Sequence, residues 1–148
     1  MKSVLFFFFL SLGLMVNAQE MKPVTWSGSI CADCDQSAIR LHADIEEGWH
    51  LYSQNLPSDE GPVPTSFSTE VLKGDVQLSN DVSEGEAHKA YDQNFMMDVF
   101  YFGENADFEI PYQKNDEEAA VVEITVTFMV CNDEMCLPPK DEKIQVTL

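Results

Sequence analysis

Four cysteines, arranged as two local pairs, are the residues of this sequence best suited to chemistry. The first pair is Cys31-Ala-Asp-Cys34 and the second is Cys131-Asn-Asp-Glu-Met-Cys136. Two cysteines this close in sequence can form a fixed disulfide, open and close one in exchange with another thiol, or supply thiolates to a metal ion. The spacing alone therefore leaves a redox site, a structural staple and a metal site as candidate roles.

The second pair follows the strongest strand pattern in the chain and precedes Leu137-Pro138-Pro139, after which residues 143–148 can return as the next strand. If these strands form a hairpin, Cys131 and Cys136 lie opposite each other at its exposed end, with Cα atoms about 4.4–6.8 Å apart as a disulfide requires. Closing so short a loop contributes only about 2 kcal/mol. Opening the bond should therefore leave the fold intact, which suits a reversible disulfide, and an inert surface staple has the same spacing.

Acidic side chains inside this loop constrain how it could react. Asp133 and Glu134 lie between the cysteines, and no Lys, Arg or His is close in sequence. Their negative field disfavours thiolate. We expect a dithiol of low intrinsic reactivity, which exchanges only when a docked partner supplies the reactive cysteine or a local positive field. A covering loop would further protect it from stray oxidants.

The first pair has several interpretations. Cys31 and Cys34 have thioredoxin-type spacing, but that motif occupies a junction between a strand and a helix, and here residues 35–37 lead into a strand. We expect a local structural or accessory disulfide in a strand connection, with redox activity as the alternative. All four cysteines could instead build a tetrahedral zinc site, although neither pair carries the glycine typical of a zinc knuckle and the second spacing is long.

Length and charge limit the remaining function classes. The chain has 148 residues and a formal net charge of −18, with 26 acidic against 8 basic side chains. This length indicates a single domain of ordinary size. The charge would repel the phosphates of nucleic acid and the surface of an anionic membrane. The composition, 45% apolar and 11% aromatic, supports a packed core and argues against a disordered acidic tail.

The N-terminus has the pattern of a secretory signal peptide. Lys2 precedes an apolar run from Val4 to Val16, and Ala18 ends a segment of small residues of the kind that signal peptidase cleaves. The run spans only about 20 Å, too short for a bilayer core of about 30 Å. We expect residues 1–18 to be removed near Ala18, so that residues 19–148 form one exported domain. In an exported protein the cysteines can persist as disulfides.

The elements that must position the cysteines are predicted to be strands. Ile39, Leu41, Ala43 and Ile45 alternate with polar residues, as do the apolar residues from Val122 to Val130, which is the period of a half-buried strand. Shorter β-rich runs cover residues 24–30, 49–53, 66–71, 76–78, 96–102, 108–112 and 144–148. Seven to nine short strands separated by glycine and proline, without a helical period, indicate an all-β antiparallel β-sandwich.

Three motifs of the sequence have a distinctive combination and order. The most specific is the block from Val126 to Pro139 that contains Cys131, Cys136 and the two prolines. The others are Gly48-Trp-His-Leu-Tyr-Ser-Gln54 with the nearby Gly61-Pro-Val-Pro-Thr65, and Tyr91-Asp-Gln-Asn-Phe95 followed by Phe100-Tyr101. Together, across nearly all of residues 22–148, they resemble the N-terminal periplasmic domain of the bacterial thiol:disulfide interchange protein DsbD and occur in the order of that family. The resemblance implies an immunoglobulin-like β-sandwich that carries reducing equivalents.

The resemblance also implies a role for individual residues. Cys136 would form the mixed disulfide with a client protein, and Cys131 would resolve it. Residues 91–95, which include Tyr91 and Asp92, would be a cap loop that shields the cysteines until a partner docks, with Phe95 as the shielding side chain. Tyr52 would be an aromatic residue beside the redox site. His50 would replace a second tyrosine, and its imidazolium, if close, would offset part of the acidic field at lower pH.

The resemblance further implies the partners. The domain would take electrons from a membrane-embedded thiol reductase and pass them to periplasmic thioredoxin-like proteins, including disulfide isomerases and cytochrome c maturation factors. It would act without a cofactor, as one component of a protein-disulfide reductase system. Because the sequence ends at Leu148 without the fused domains usual in the family, we expect the donor to act in trans. The Cys31/Cys34 pair is outside the family pattern.

Two other function classes fit the same residues. Soft ligands for copper(I) could come from the cysteines, from Met96, Met97, Met129 and Met135, and from His50 and His88. Methionines on strands are more often core residues, and no repeated methionine motif is present. The chain could also be a β-sandwich interaction module whose disulfides are inert. Such a module would keep its function when Cys131 and Cys136 are replaced, whereas a redox relay would stay folded and lose it.

Overall fold

A computed structural model describes residues 21–148 of the chain. The predicted signal peptide, residues 1–18, and its cleavage near Ala18 lie outside this range and stay predictions. Within the described range, no helix has the length and apolar character needed to cross a bilayer.

The described part of the chain is entirely β-structure with connecting turns, as the sequence predicts. Its twelve strands are β1 (Val24–Ile30), β2 (Ala38–Ile45), β3 (His50–Tyr52), β4 (Ser66–Lys73), β5 (Val76–Leu78), β6 (Ser83–Glu84), β7 (His88–Asp92), β8 (Met97–Phe102), β9 (Asn105–Lys114), β10 (Val121–Phe128), β11 (Val130–Cys131) and β12 (Lys140–Thr147). All nine predicted strand regions contain a strand. The sequence analysis missed β6 and β7, and it merged β11 with β10.

The strands form antiparallel sheets. The first sheet has the order β1-β2-β9-β5, with β6 also paired to β9. The second sheet has the order β12-β10-β4, and the third has the order β11-β3-β8-β7. Every strand pair is antiparallel.

The core lies between the first two sheets and confirms the predicted alternation. Ile39, Leu41 and Ala43 of β2 are fully buried, whereas Arg40 and His42 between them are only partly covered. The apolar residues of β10 are buried in the same way against them. Trp26 of β1 joins the two layers, because its ring contacts aromatic rings from β4, β9 and β10. This apolar interior provides the rigid frame for the cysteines.

The connection between β10 and β11 places the second cysteine pair in surroundings that the strand pattern does not predict. β10 does pair with β12 along its whole length, but the chain leaves that sheet at Met129. Val130 and Cys131 then pair with Leu51 and His50 of β3 in the third sheet. The prediction that the cysteines lie opposite each other at the end of the β10–β12 hairpin is confirmed, because Cys131 and Cys136 are antiparallel bridge partners beyond the Phe128–Lys140 pair. A single strand pattern was read across a point where the strand changes sheets.

Candidate redox site

Cys131 and Cys136 form a disulfide, as predicted from their spacing. The two residues are also antiparallel bridge partners, and their Cα atoms are 4.0 Å apart, closer than the predicted range. Cys131 is 0% exposed, whereas Cys136 is partly exposed. The expectation of an exposed strand end is therefore wrong for Cys131, because its side chain packs in an apolar cluster with Tyr52 and Val99 although β11 is the edge strand of the third sheet. A partner can approach this bond only from the Cys136 side.

Asn132 fixes the loop between the two cysteines. Its side-chain Oδ1 accepts hydrogen bonds from the amides of Glu134 and Met135, at 2.9 and 2.8 Å. Its own amide donates to the Met135 carbonyl at 2.9 Å. The sequence analysis did not select Asn132, although asparagine at the start of a short loop is a known signal for this type of turn. The turn keeps Asp133 and Glu134 exposed to solvent.

A small apolar cluster, separate from the main core, surrounds the disulfide. Its buried members are Tyr52, Val99 and Cys131, and Phe95 is one of the partly buried residues that pack against them. The Phe95 and Tyr52 rings meet edge to face, with centroids 6.0 Å apart. The structure thus brings four residues predicted for the site into one cluster: Tyr52, Phe95, Cys131 and Cys136.

The predicted cap loop is the tip of a β-hairpin. β7 pairs with β8 from His88–Tyr101 to Asp92–Met97, so Tyr91 and Asp92 belong to a strand and the turn itself comprises residues 93–96. Tyr91 is 61% exposed and does not cover the disulfide, which corrects its expected place in a shielding loop. The sequence did not show this pairing because β7 contains His88, Lys89 and Asp92 and has little apolar alternation.

Asp92 anchors the cap turn to the floor of the site. It is 7% exposed, and its Oδ1 accepts hydrogen bonds from the amides of Asn94 and Phe95 at 2.8 and 3.2 Å. Its Oδ2 accepts a hydrogen bond from the Tyr52 hydroxyl at 2.5 Å. One buried carboxylate therefore holds both the turn that carries Phe95 and the tyrosine beneath it.

The ionisation of this network follows from burial and hydrogen bonding. Burial alone would raise the pKa of Asp92, but hydrogen bonds from Tyr52 and from the Phe95 and Asn94 amides outweigh it and hold the pKa below its usual value. Burial, together with the neighbouring Asp92 carboxylate, raises the pKa of Tyr52. At neutral pH the tyrosine is therefore a neutral donor and Asp92 is a charged acceptor.

His50 borders Cys131 directly, because the two residues are register partners in β3 and β11. Its Nε2 lies 3.2 Å from the Tyr52 hydroxyl and 3.6 Å from Asp92 Oδ2. Burial lowers the pKa of His50, and the attraction of Asp92 only partly opposes this. The ring is therefore neutral at physiological pH. The offset of the acidic field by an imidazolium, which is expected only at lower pH, therefore requires a pH below the usual histidine range.

A cleft of about 600 Å³ lies between the cap hairpin and the cysteine loop, and its lining includes the neighbours of Cys131 but neither cysteine itself. Its lining comes from both sides of the site: Gly48, Trp49 and His50 from the segment entering β3, Tyr91 and Asn94 from the cap hairpin, and Asn132 and Asp133 from the cysteine loop. Asn94 Nδ2 also donates to the Asn132 carbonyl at 3.4 Å, across this junction. A protein segment that entered the cleft would touch both the cap and the cysteine loop.

Cys31 and Cys34 form the second disulfide. It lies in the connection between β1 and β2, where the Cys31 amide donates to the Ala38 carbonyl at 2.9 Å, so the expected location in a strand connection is confirmed. β2 then runs from Ala38 to Ile45, a length of about 23 Å, before the chain turns toward His50 and the other disulfide. Among residues 21–148, the metal-capable group at this end is Cys31, Cys34 and Glu109. The four cysteines do not converge, so a single four-cysteine zinc site does not form.

The methionines and His88 considered for copper are dispersed. Met97 and Met129 pack against the Tyr52 cluster, whereas Met96 and Met135 are 77% and 44% exposed. His88 lies at the exposed start of β7. Met97 and Met129 thus act as packing residues of the small cluster around the disulfide.

Comparisons with known proteins agree with this geometry. The family model described as "Thiol:disulfide interchange protein DsbD, N-terminal" matches residues 19–148. The crystal structure of the reduced Neisseria meningitidis DsbD N-terminal domain superposes with a TM-score of 0.59 at 16% identity, covering 85% of this chain and 86% of that one. A chain from the complex of the DsbD and PilB N-terminal domains of Neisseria meningitidis gives 0.52 at 16% identity, covering 82% and 80%. No curated protein sequence matches. The fold is the immunoglobulin-like sandwich of these domains.

Proposed function

The chain belongs to the family of DsbD N-terminal domains and is a thiol–disulfide exchange domain, and we propose that Cys131 and Cys136 are the pair through which it exchanges. One observation carries this assignment: the Cys131–Cys136 disulfide joins one buried and one partly exposed cysteine and lies in a cluster covered by Phe95, whose hairpin tip is held by a single carboxylate. The short loop adds little to stability. The surrounding sheets are held together by the main apolar core instead.

Cys136 is proposed as the cysteine that meets the partner. In the reducing direction for this domain, a thiolate of the donor attacks the Cys136 sulfur, the intramolecular S–S bond breaks, and Cys131 leaves as a thiolate that takes up a proton. A second donor thiol attacks the mixed disulfide and releases Cys136, so two electrons enter the domain. Delivery to a client is the reverse sequence: Cys136 attacks the client disulfide, and Cys131 resolves the mixed disulfide. No cofactor takes part.

The surroundings make this pair slow to react without a partner. Cys131 has a neutral histidine beside it, the buried Asp92 carboxylate lies within the same network, and two exposed acids lie in its loop. Negative charge and burial both disfavour a thiolate. We propose that the cap, with Phe95 as its shielding side chain, swings aside when a partner enters the cleft and thereby exposes Cys136.

The proposed clients are periplasmic thioredoxin-like proteins, including disulfide isomerases and cytochrome c maturation factors, and the proposed donor is a membrane-embedded thiol reductase. Membership of the DsbD family supports these classes, and the solved complex of a DsbD N-terminal domain with the PilB N-terminal domain supports a protein client. The same membership supports export to the periplasm. The protein would serve as the soluble electron carrier of a protein-disulfide reductase system.

Trapping of mixed disulfides tests the proposal. The variant Cys131→Ser, expressed in the native compartment, keeps Cys136 and cannot resolve an adduct. We expect it to accumulate disulfide-linked complexes with thioredoxin-fold proteins, identified by mass spectrometry. Cys136→Ser, the matched control, keeps of this pair only the buried Cys131 and should trap at least about tenfold less through it, with peptide mapping separating adducts at Cys34. Equal trapping by both variants, or thioredoxin-fold adducts on neither, would refute the assignment.

A further inference from the structure

The second disulfide, Cys31–Cys34, has an electrostatically asymmetric environment. Arg40 Nη2 donates to the Cys34 sulfur at 3.7 Å. On the other side, Asp33 Oδ1 lies 3.3 Å from the Cys31 sulfur. The Arg40 guanidinium therefore contacts the Cys34 sulfur and the Asp33 carboxylate contacts the Cys31 sulfur, while a carboxylate oxygen of Glu109 lies within 4.8 Å of both sulfurs.

The β-sheet register fixes the arginine in this position. Arg40 on β2 is the register partner of Glu109 on β9, and its Nη2 lies 3.0 Å from Glu109 Oε1. Its Nη1 pairs with Asp33 at 2.8 Å. Two carboxylates thus hold the guanidinium over Cys34, and the arginine side chain is only 29% exposed. The two carboxylates offset part of its charge, so it is the directed contact from Nη2 that favours a thiolate at Cys34. The Asp33 carboxylate favours a protonated thiol at Cys31, which could donate a hydrogen bond to it.

The two cysteines of this disulfide also differ in their exposure to solvent. Cys31 is buried, whereas Cys34 is partly exposed. An incoming thiol can therefore reach Cys34 more readily than Cys31, which is 9% exposed. The exposed residue, next to the cation, is the suitable attacking group, and the buried residue is the suitable resolving group. Next to the pair, Ile30 is 49% exposed and offers an apolar contact.

We propose that Cys31–Cys34 is a second thiol–disulfide exchange site, which reacts with dithiols through Cys34. A dithiol thiolate attacks the Cys34 sulfur, the Cys31–Cys34 bond breaks, and Cys31 leaves and takes up a proton. The second thiol of the dithiol then attacks the mixed disulfide, releases Cys34 as a thiolate beside Arg40, and closes the reagent's own disulfide. Two electrons and two protons leave the dithiol, and the protein keeps both electrons as its reduced pair.

This site is independent of the proposed role of Cys131 and Cys136. The β1–β2 connection and the segment leading to His50 lie at opposite ends of β2, so electrons cannot pass directly between the two pairs. The protein would carry up to four electrons in two separate sites. A failure at one pair leaves the assignment of the other unaffected.

The first test measures native reduction by dithiothreitol, a neutral dithiol. The whole folded chain is treated at pH 7 in the presence of EDTA, so that metal binding by Cys31, Cys34 and Glu109 cannot interfere. Alkylation and peptide mapping then report each pair separately, and circular dichroism reports the fold. We expect Cys31–Cys34 to open while the spectrum stays unchanged. A pair that opens only when the sheets unfold would overturn the proposal.

The second test measures the thiolate at Cys34. In Cys31→Ser, the rate of alkylation of Cys34 by iodoacetamide is followed against pH. Arg40→Gln, added to this variant, should lower the rate at pH 6.5 by about tenfold or more, which corresponds to a pKa rise of about one unit. Arg40→Lys should restore most of it. Lys143→Gln, which removes the cation of an exposed ion pair with Glu123, is the matched control. Equal rates in Arg40→Gln and this control would refute the role of the guanidinium.

Discussion

Replacement of Phe95 by alanine should open the Cys131–Cys136 site without unfolding the domain. The Phe95 ring packs against the cluster of Tyr52, Val99 and Cys131 and makes an edge-to-face contact with Tyr52. Its backbone stays fixed by the Asp92 carboxylate, which the substitution leaves in place. The variant therefore removes the cover and keeps the hairpin that carries it.

The size of the effect follows from the packing of Phe95. Full burial of a phenylalanine side chain contributes about 1.5–3 kcal/mol. Phe95 is only partly buried, so about 1 kcal/mol is a reasonable share, and the edge-to-face contact with Tyr52 adds about 0.5–1 kcal/mol. The sum of about 1.5–2 kcal/mol corresponds to a 10- to 30-fold increase in the population with the cap open. The rate of reduction by a small thiol should rise by the same factor.

The assay is reduction by limiting dithiothreitol at pH 7, with quenching by alkylation and peptide mapping of each cysteine pair. Cys31–Cys34 lies at the other end of β2 and serves as an internal reference whose rate should not change. Tyr91→Ala is the matched control, because Tyr91 is an aromatic residue of the same hairpin and is 61% exposed. Its rates at both pairs should equal those of the unsubstituted protein.

The reasoning fails if dithiothreitol reduces Cys131–Cys136 in Phe95→Ala no more than twofold faster than in Tyr91→Ala. It also fails if the rates of reduction of both disulfides rise together, because a general loosening of the fold would then explain the change. A rise confined to Cys131–Cys136 is the expected result.

Three further predictions follow from the same contacts. Asp92→Ala removes the acceptor of three hydrogen bonds. It should lower the free energy of unfolding, measured by urea titration, by about 2–4 kcal/mol, and Asp92→Asn should lower it less. Reduction of Cys131–Cys136 should also be faster in Asp92→Ala. Burial lowers the pKa of His50, so below about pH 6.5 the unfolded chain binds more protons at this residue than the folded chain does, and the contribution of His50 to stability falls as the pH falls. The melting temperature of His50→Gln should therefore drop less between pH 7.5 and 5.5 than that of the unsubstituted protein. An equal drop in the two proteins would contradict the lowered pKa. Gly28→Ala would place a Cβ 2.7 Å from Ile144 Cγ2 and 2.8 Å from Val146 Cγ2 and should lower stability by about 1–3 kcal/mol, whereas Gly85→Ala, whose nearest neighbour would be 3.9 Å away, should unfold in urea much as the unsubstituted protein does.

The fold could be predicted from sequence where a strand buries one face. β2 and β10 alternate apolar and polar residues because one side of each packs in the sandwich, and their positions were correct. β7 could not be found this way, because its residues are mostly polar and it is defined by its pairing with β8. The end of β10 was misplaced because Met129 and Val130 continue the local pattern while the chain changes sheets.

The site could be predicted only in part, for a similar reason. Cysteine spacing is local, so both disulfide pairings were correct. The burial of Cys131 depends on β3 and on the cap hairpin, which are distant in sequence. The hydrogen bond between Tyr52 and Asp92, which anchors the cap, also joins residues forty positions apart and could not be predicted from a local motif. The lowered pKa of His50 likewise depends on burial that no local motif shows.

The most direct measurement of the account is a redox titration in which the state of Cys131–Cys136 and the fold are followed in the same samples. Alkylation and peptide mapping would report the pair, and far- and near-ultraviolet circular dichroism would report the sheets and their packing. We expect the pair to open and close fully, with the same midpoint from the oxidised and the reduced side, while the far-ultraviolet spectra superimpose. A pair that stays closed until the sheets unfold, or sheets that are lost as soon as it opens, would contradict a reversible disulfide on a fixed frame.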